Sequence, residues 1–98
     1  MFQLNPLIKV YATTGVVELC EQNGCFWLFT DMALRYRDLK EKEPFLSVKA
    51  TGKDGKAEVI YEDGNYHVLA TDKYDFSDLE GEYKFFISND VVMLPSEY

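Results

Sequence analysis

The chain reads as an α+β protein in which two N-terminal helices pack on one face of a four- or five-stranded antiparallel β-meander. Two observations predict this. Apolar residues recur at three-four spacing as far as about residue 40, and from Phe45 onward they fall at every second position. With 98 residues, 47% of them apolar and 15% aromatic, there is material for one core and not for two, so 1–98 is taken as a single domain.

The elements follow in order. After Pro6, Leu7 to Tyr11 alternates and suits a short strand or an extended lead-in. Thr13 or Thr14 offers a hydroxyl cap to a first helix, Gly15 to Asn23, with Val16, Leu19 and Cys20 as its stripe and Gly24 as its stop. A second helix runs from about Cys25 to Lys40, with Leu28, Phe29, Met32, Ala33 and Tyr36 on one face. Trp27 and Leu34 widen that face, so it needs cover from the sheet, the first helix or a second copy of the chain. Pro44 closes the helix.

The second half alternates. Leu46, Val48 and Ala50 share one side of Phe45 to Thr51, and Gly52-Lys53-Asp54-Gly55 turns the chain into Lys56 to Tyr61. Asp63-Gly64 is a two-residue hairpin signal leading to Tyr66 to Thr71, with Tyr66, Val68 and Ala70 aligned. Residues 72–82 read as a long acidic connection. Glu82 to Ser88 then points Tyr83, Phe85 and Ile87 inward, Asn89-Asp90 turns, and Val91 to Leu94 ends at Pro95.

Charge is distributed unevenly. Residues 1–56 carry seven acids and eight bases, whereas residues 57–98 carry ten acids against Lys73 and Lys84, a net of −8. Such a surface repels nucleic acid and attracts basic proteins. The N-terminal MFQLNPLIKVY lacks a basic start and a long apolar run, and Cys25 to Phe29 is too short to cross a bilayer. A cytoplasmic protein with reduced thiols is expected, away from membranes.

Catalytic signatures are weak. Cys20 and Cys25 lack matching ligands for zinc, and read as two small buried side chains flanking a helix junction. His67, the one histidine, reads as a solvent-facing residue of a strand. Glu82-Tyr83-Lys84 has the acid-x-lysine form of metal-dependent nucleases, with Asp72, Asp75 or Asp78 as nominal first ligand. It lies, however, in the region least able to hold a polyanion. Neither glycine turn supplies the oxygen spacing of a calcium loop. A non-enzymatic protein without metal or cofactor is expected.

The functional expectation is therefore a binding surface. Asp72, Asp75, Asp78, Glu80 and Glu82 supply charge, Tyr74 and Phe76 supply apolar anchors, and the partner is a basic protein engaged in place of nucleic acid. Carboxylates on such an edge can stand in for a phosphate backbone. The alternatives are a homodimer through the second helix (Trp27, Leu34, Tyr36) and the nuclease.

Thr14-Gly15-Val16, Leu19, Gly24, Phe26-Trp27-Leu28 and Asp31, together with the ending Val92-Met93-Leu94-Pro95-Ser96-Glu97-Tyr98, carry a resemblance. The chain resembles an uncharacterised family of short bacterial and bacteriophage proteins that end in leucine-proline-serine-glutamate-tyrosine. The resemblance implies a mobile-element origin and carries no catalytic residue across. By analogy of size, charge and source, it suggests an inhibitor of a host nucleic-acid enzyme, anti-CRISPR proteins included. Within the chain, the tail can also be read as Leu94 closing the last strand, Pro95 stopping it and Tyr98 packing back on the core.

Overall fold

A computed structural model of the protein describes Phe2–Asn5 and residues 8–98, with side chains from Lys9 onward. Pro6 and Leu7, part of the expected lead-in, lie outside the described residues. Strands β1 (Phe2–Asn5) and β2 (Ile8–Ala12) precede helices α1 (Thr14–Asn23) and α2 (Phe26–Leu39). Then come β3 (Phe45–Lys53), β4 (Lys56–Glu62), β5 (Val68–Tyr74), β6 (Gly81–Ser88), β7 (Val91–Met93) and a 3₁₀ turn, Pro95–Glu97.

The strands form one seven-stranded mixed sheet in the order β1-β2-β7-β6-β3-β4-β5. This corrects the expected four- or five-stranded antiparallel meander. Two strands lie ahead of the helices, and β2 pairs with β7 in parallel, Tyr11 beside Val91 and Ala12 beside Val92. Nor do β3 to β6 follow one another across the sheet, because β6 sits between β7 and β3. The reason is burial. β6 brings Phe85 and Ile87 to the core and takes the interior place, whereas no residue of β5 is buried, so β5 goes to the edge.

Both helices cover the same face. Val16 and Cys20 of α1 and Leu28, Phe29, Met32, Ala33 and Tyr36 of α2 are buried with Leu46, Val48, Ala50, Val59, Tyr61, Phe85, Ile87 and Val92 of the sheet. Thr13 caps α1, its hydroxyl accepting from the Val16 N–H at 3.4 Å, and Gly24 closes it in the left-handed region. Cys20 and Cys25 are both buried at the α1–α2 junction.

Three expected boundaries move. Gly52 is a strand residue, and the turn after β3 is Asp54-Gly55, both at positive φ as a type I′ hairpin requires. The Asp63-Gly64 hairpin is instead a longer loop, 63–67, because the Asp63 carboxylate accepts the Asn65 and His67 amides at 2.8 and 3.0 Å and Tyr66 turns left-handed. His67 therefore lies in this loop, outside the strand. Finally, β5 extends through Tyr74, so the acidic connection shrinks to 75–80. Pairing of Val59 with Asp72 and Ala57 with Tyr74 overrides the poor strand propensity of aspartate.

The tail is built into the fold. Thr13 Oγ1 and the Leu94 N–H both donate to Glu97 Oε1, at 2.6 and 3.0 Å. These two bonds hold the Glu97 carboxyl below the usual carboxylate range. Gly15 leaves room for the group, since a Cβ there would stand 2.9 Å from its oxygens. The Tyr98 ring meets those of Phe45 and Phe86 edge-on, at 5.6 and 5.3 Å.

Candidate functional site

The alternation of β5 decides where the acidic residues go. Ala70, Asp72 and Tyr74 stand opposite the buried Tyr61, Val59 and Ala57, so they face the helices rather than the solvent. A carboxylate on that face needs a cation. Arg35 of α2 supplies one, donating from Nε to Asp72 Oδ2 at 3.2 Å while its terminal nitrogen meets Oδ1. Tyr74 donates to Asp31 Oδ2 at 2.6 Å and packs edge-on against Trp27 with ring centroids 5.0 Å apart. Its phenol is pushed up by burial first and then by the Asp31 carboxylate. Asp31, Arg35, Asp72 and Tyr74, with Leu34, Asp38 and Lys73, line a cleft of about 370 Å³ between α2 and β5.

Beneath the cleft, Tyr61 is buried and its hydroxyl has no hydrogen-bond partner among the described residues. Burial raises its phenol pKa, so the hydroxyl stays neutral. The cleft's polar groups are mostly engaged with one another, which suits a rigid surface better than proton transfer.

The 75–80 connection crosses the ends of β4 and β3 to reach β6, where the Tyr83 hydroxyl donates to the Glu80 carbonyl at 2.7 Å, and two further contacts fix it. The Ser77 N–H donates to the Gly55 carbonyl at 2.7 Å. Leu79 is buried over Gly52, where a Cβ would come within 2.0 Å of the Leu79 carbonyl oxygen. Just before the first of these pins, and two residues after Tyr74, which pairs with Ala57 at the end of β5, Phe76 is 94% exposed. Asp75, Asp78 and Glu80 are exposed too, and none makes an ion pair among the described residues.

The seven expected contact residues thus separate. Asp75, Phe76, Asp78 and Glu80 share the connection. Asp72 and Tyr74 turn into the α2 side. Glu82 lies on the uncovered face of the sheet, 3.4 Å from Lys49. That face also carries Lys53, Lys56, Lys73 and Lys84, so half of the chain's ten cationic side chains lie there, and Lys73 pairs with Glu58 at 3.9 Å. The late acids are therefore partly compensated, two of the five by Arg35 and Lys49 from the first half.

Other groupings do not converge. Glu82 and Lys84 share the uncovered face while Asp72 faces away from it, so the nuclease ligands are not brought together. Among the described residues, no three His, Cys, Asp or Glu side chains form a group able to hold a metal ion. His67 is exposed and within 3.0 Å of Asp63. On α2, Tyr36 is buried and Trp27 half-buried, leaving Leu34, 43% exposed, as the open apolar residue of that helix's expected dimer face. Among the described residues, no helix is long and apolar enough to cross a membrane.

Sequence reasoning missed the Arg35–Asp72 and Tyr74–Asp31 pairings. One signal was present: Asp72 shares the parity of Ala70, and an acid on the inward side of a strand demands a partner. Nothing in the sequence pointed to Arg35 as that partner.

A family model described as a family of unknown function (DUF6876) matches residues 1–98, and the chain belongs to that family. No curated protein and no solved structure matches it.

Proposed function

We propose that this chain is a non-enzymatic interaction protein whose 75–80 connection docks on a basic protein, with Phe76 as the anchor and Asp75, Asp78 and Glu80 as the steering charges. The observation carrying this reading is an aromatic ring 94% exposed between Tyr74, held in β5, and Ser77 and Leu79, held against the β3–β4 hairpin. A loop held that way loses little freedom on binding, and a ring so exposed gains most from being covered. Three carboxylates without ion-pair partners around the ring raise the association rate with a cationic surface and disfavour an anionic one.

The partner class in this proposal is a nucleic-acid-binding protein of the host cytoplasm, and the action is inhibition by occupying its basic cleft. The acidic charge, the small size and the resemblance to phage proteins support it, with a CRISPR effector as one such target. Asp72 and Glu82, each held by its own cation, are peripheral to the contact.

The test is a comparison of three baits in a bacterial lysate: the wild-type chain, Phe76→Ala, and the triple variant Asp75→Lys, Asp78→Lys, Glu80→Lys. The reading expects a basic nucleic-acid-binding protein to be retained by the first and lost from the other two, with retention falling as salt rises. Equal retention by all three baits would sink it.

A further inference from the structure

We infer that β5 is a self-pairing edge: two copies of the chain join antiparallel through Val68–Tyr74 in a register centred on Thr71, making one continuous sheet from two. The inference goes beyond the docking function of the 75–80 connection and stands or falls without it.

β5 ends the sheet, so among the described residues one row of its backbone N–H and C=O groups has no neighbouring strand. Edges of this kind are ordinarily blunted by shortness, proline, bulges or lysine. β5 is seven residues long with no proline or glycine, and Lys73 is its one cation. Its one irregularity is a bulge at Leu69, between the pairs Tyr61–Ala70 and Glu62–Val68, which leaves 70–74 in regular register. The other edge, β1, is shorter, with four residues, and breaks register between Gln3 and Asn5.

Exposed apolar side chains lie along the same edge. Val68 is 60% exposed and Leu69 39% at one end of the strand, and Leu34 opens into the cleft beside Asp72, Lys73 and Tyr74 at the other. A second copy alongside β5 would remove these side chains from water.

The strand is also complementary to its own reverse. A two-fold axis at Thr71 sets Val68 opposite Tyr74, Leu69 opposite Lys73 and Ala70 opposite Asp72. No like charges face each other, the Lys73 stem can lie along Leu69, and the ladder reaches both ends of the strand, with the bulge at Leu69 near each end. An axis at Asp72 would set carboxylate against carboxylate, and an axis at Ala70 would shorten the ladder to five residues. Because the axis passes through a residue, opposed side chains keep the same face, so the helix layers of both copies lie on one side. The two 75–80 connections then project beyond opposite ends of the new ladder.

The experiment combines mass and cross-linking on the 98-residue chain. Sedimentation equilibrium should give reversible association to twice 11.4 kDa. Leu69→Lys, which sets lysine against Lys73 twice, should raise the dissociation constant at least tenfold. Thr71→Cys exposed to glutathione disulfide should cross-link to itself, because Cα atoms opposed in an antiparallel pair lie about 4.5–5.5 Å apart, within disulfide reach. Lys73→Cys should not, since the two positions would be roughly 14 Å apart at about 3.4 Å per residue. The native cysteines are buried and serve as background. If Leu69→Lys fails to fold, the cysteine pair decides alone. A monomer at every concentration, a dimer in which Thr71→Cys does not cross-link, or equal cross-linking at Lys73→Cys would each overturn the inference.

Discussion

The C-terminal tail and the 75–80 connection are written in the same residues, acids beside aromatic rings, and the fold uses them in opposite ways. Glu97 accepts from Thr13 and Leu94, and Tyr98, though 74% exposed, meets Phe45 and Phe86 edge-on. Asp75, Asp78 and Glu80 have no ion pair among the described residues, and Phe76 stands in solvent. The difference lies in position. The tail lies where Thr13 offers a hydroxyl and Leu94 an N–H, while the connection passes the end of the β3–β4 hairpin, where the Gly55 carbonyl accepts the Ser77 N–H and Gly52 leaves room for Leu79 but, among the described residues, no ion pair meets the outward carboxylates. Acid-and-aromatic composition is therefore no guide to function until the neighbouring groups are known.

The largest effect that would sharpen this contrast is at Leu79, three residues from Phe76. Leu79→Ala empties a buried site and is expected to lower unfolding free energy by about 3 kcal/mol in a denaturant titration. It should also make 75–80 the first site of proteolytic cleavage. A loss under half that size would mean the connection is not held by this residue.

Arg35→Ala comes next. Asp72 would lose its cation while remaining half-buried, at a cost of about 1.5 kcal/mol, and Asp72→Asn in the same background should recover part of it. Unchanged stability in the single variant would show the pair to be no stronger than an exposed one.

At the tail, Glu97→Ala is expected to cost about 1 kcal/mol, the usual worth of a helix cap. Its pH dependence has a definite sign. The Glu97 carboxyl titrates below its ordinary value in the folded chain, so its contribution is full above that ordinary value and fades as pH falls through the lowered one. Wild-type and Glu97→Gln stability curves should converge in acid. Curves that stay parallel would remove the cap from the account.

The smallest effect is at Phe76. Phe76→Ala should shift unfolding by no more than about 0.5 kcal/mol, because the ring is already in water. A loss comparable to that at Leu79 would erase the distinction between the two regions.

Much of the local structure was legible. The helix faces of α1 and α2, the αL stop at Gly24 and the alternation of β3, β4 and β6 follow from apolar spacing and capping chemistry that act within a few residues. The concentration of acids after residue 57 was equally plain. Four of the seven expected contact residues, Asp75, Phe76, Asp78 and Glu80, lie in a loop, as their composition suggested.

What the chain alone determined, then, is periodicity and charge, because both are properties of near neighbours. Tertiary structure decided the rest. It chose β6 over β5 for the interior, paired β2 with β7 across some eighty residues, and carried β5 on through Asp72 once Arg35 was there to meet it. Each of these depends on which distant group can bury apolar area or satisfy a charge, and distance along the sequence carries no record of that.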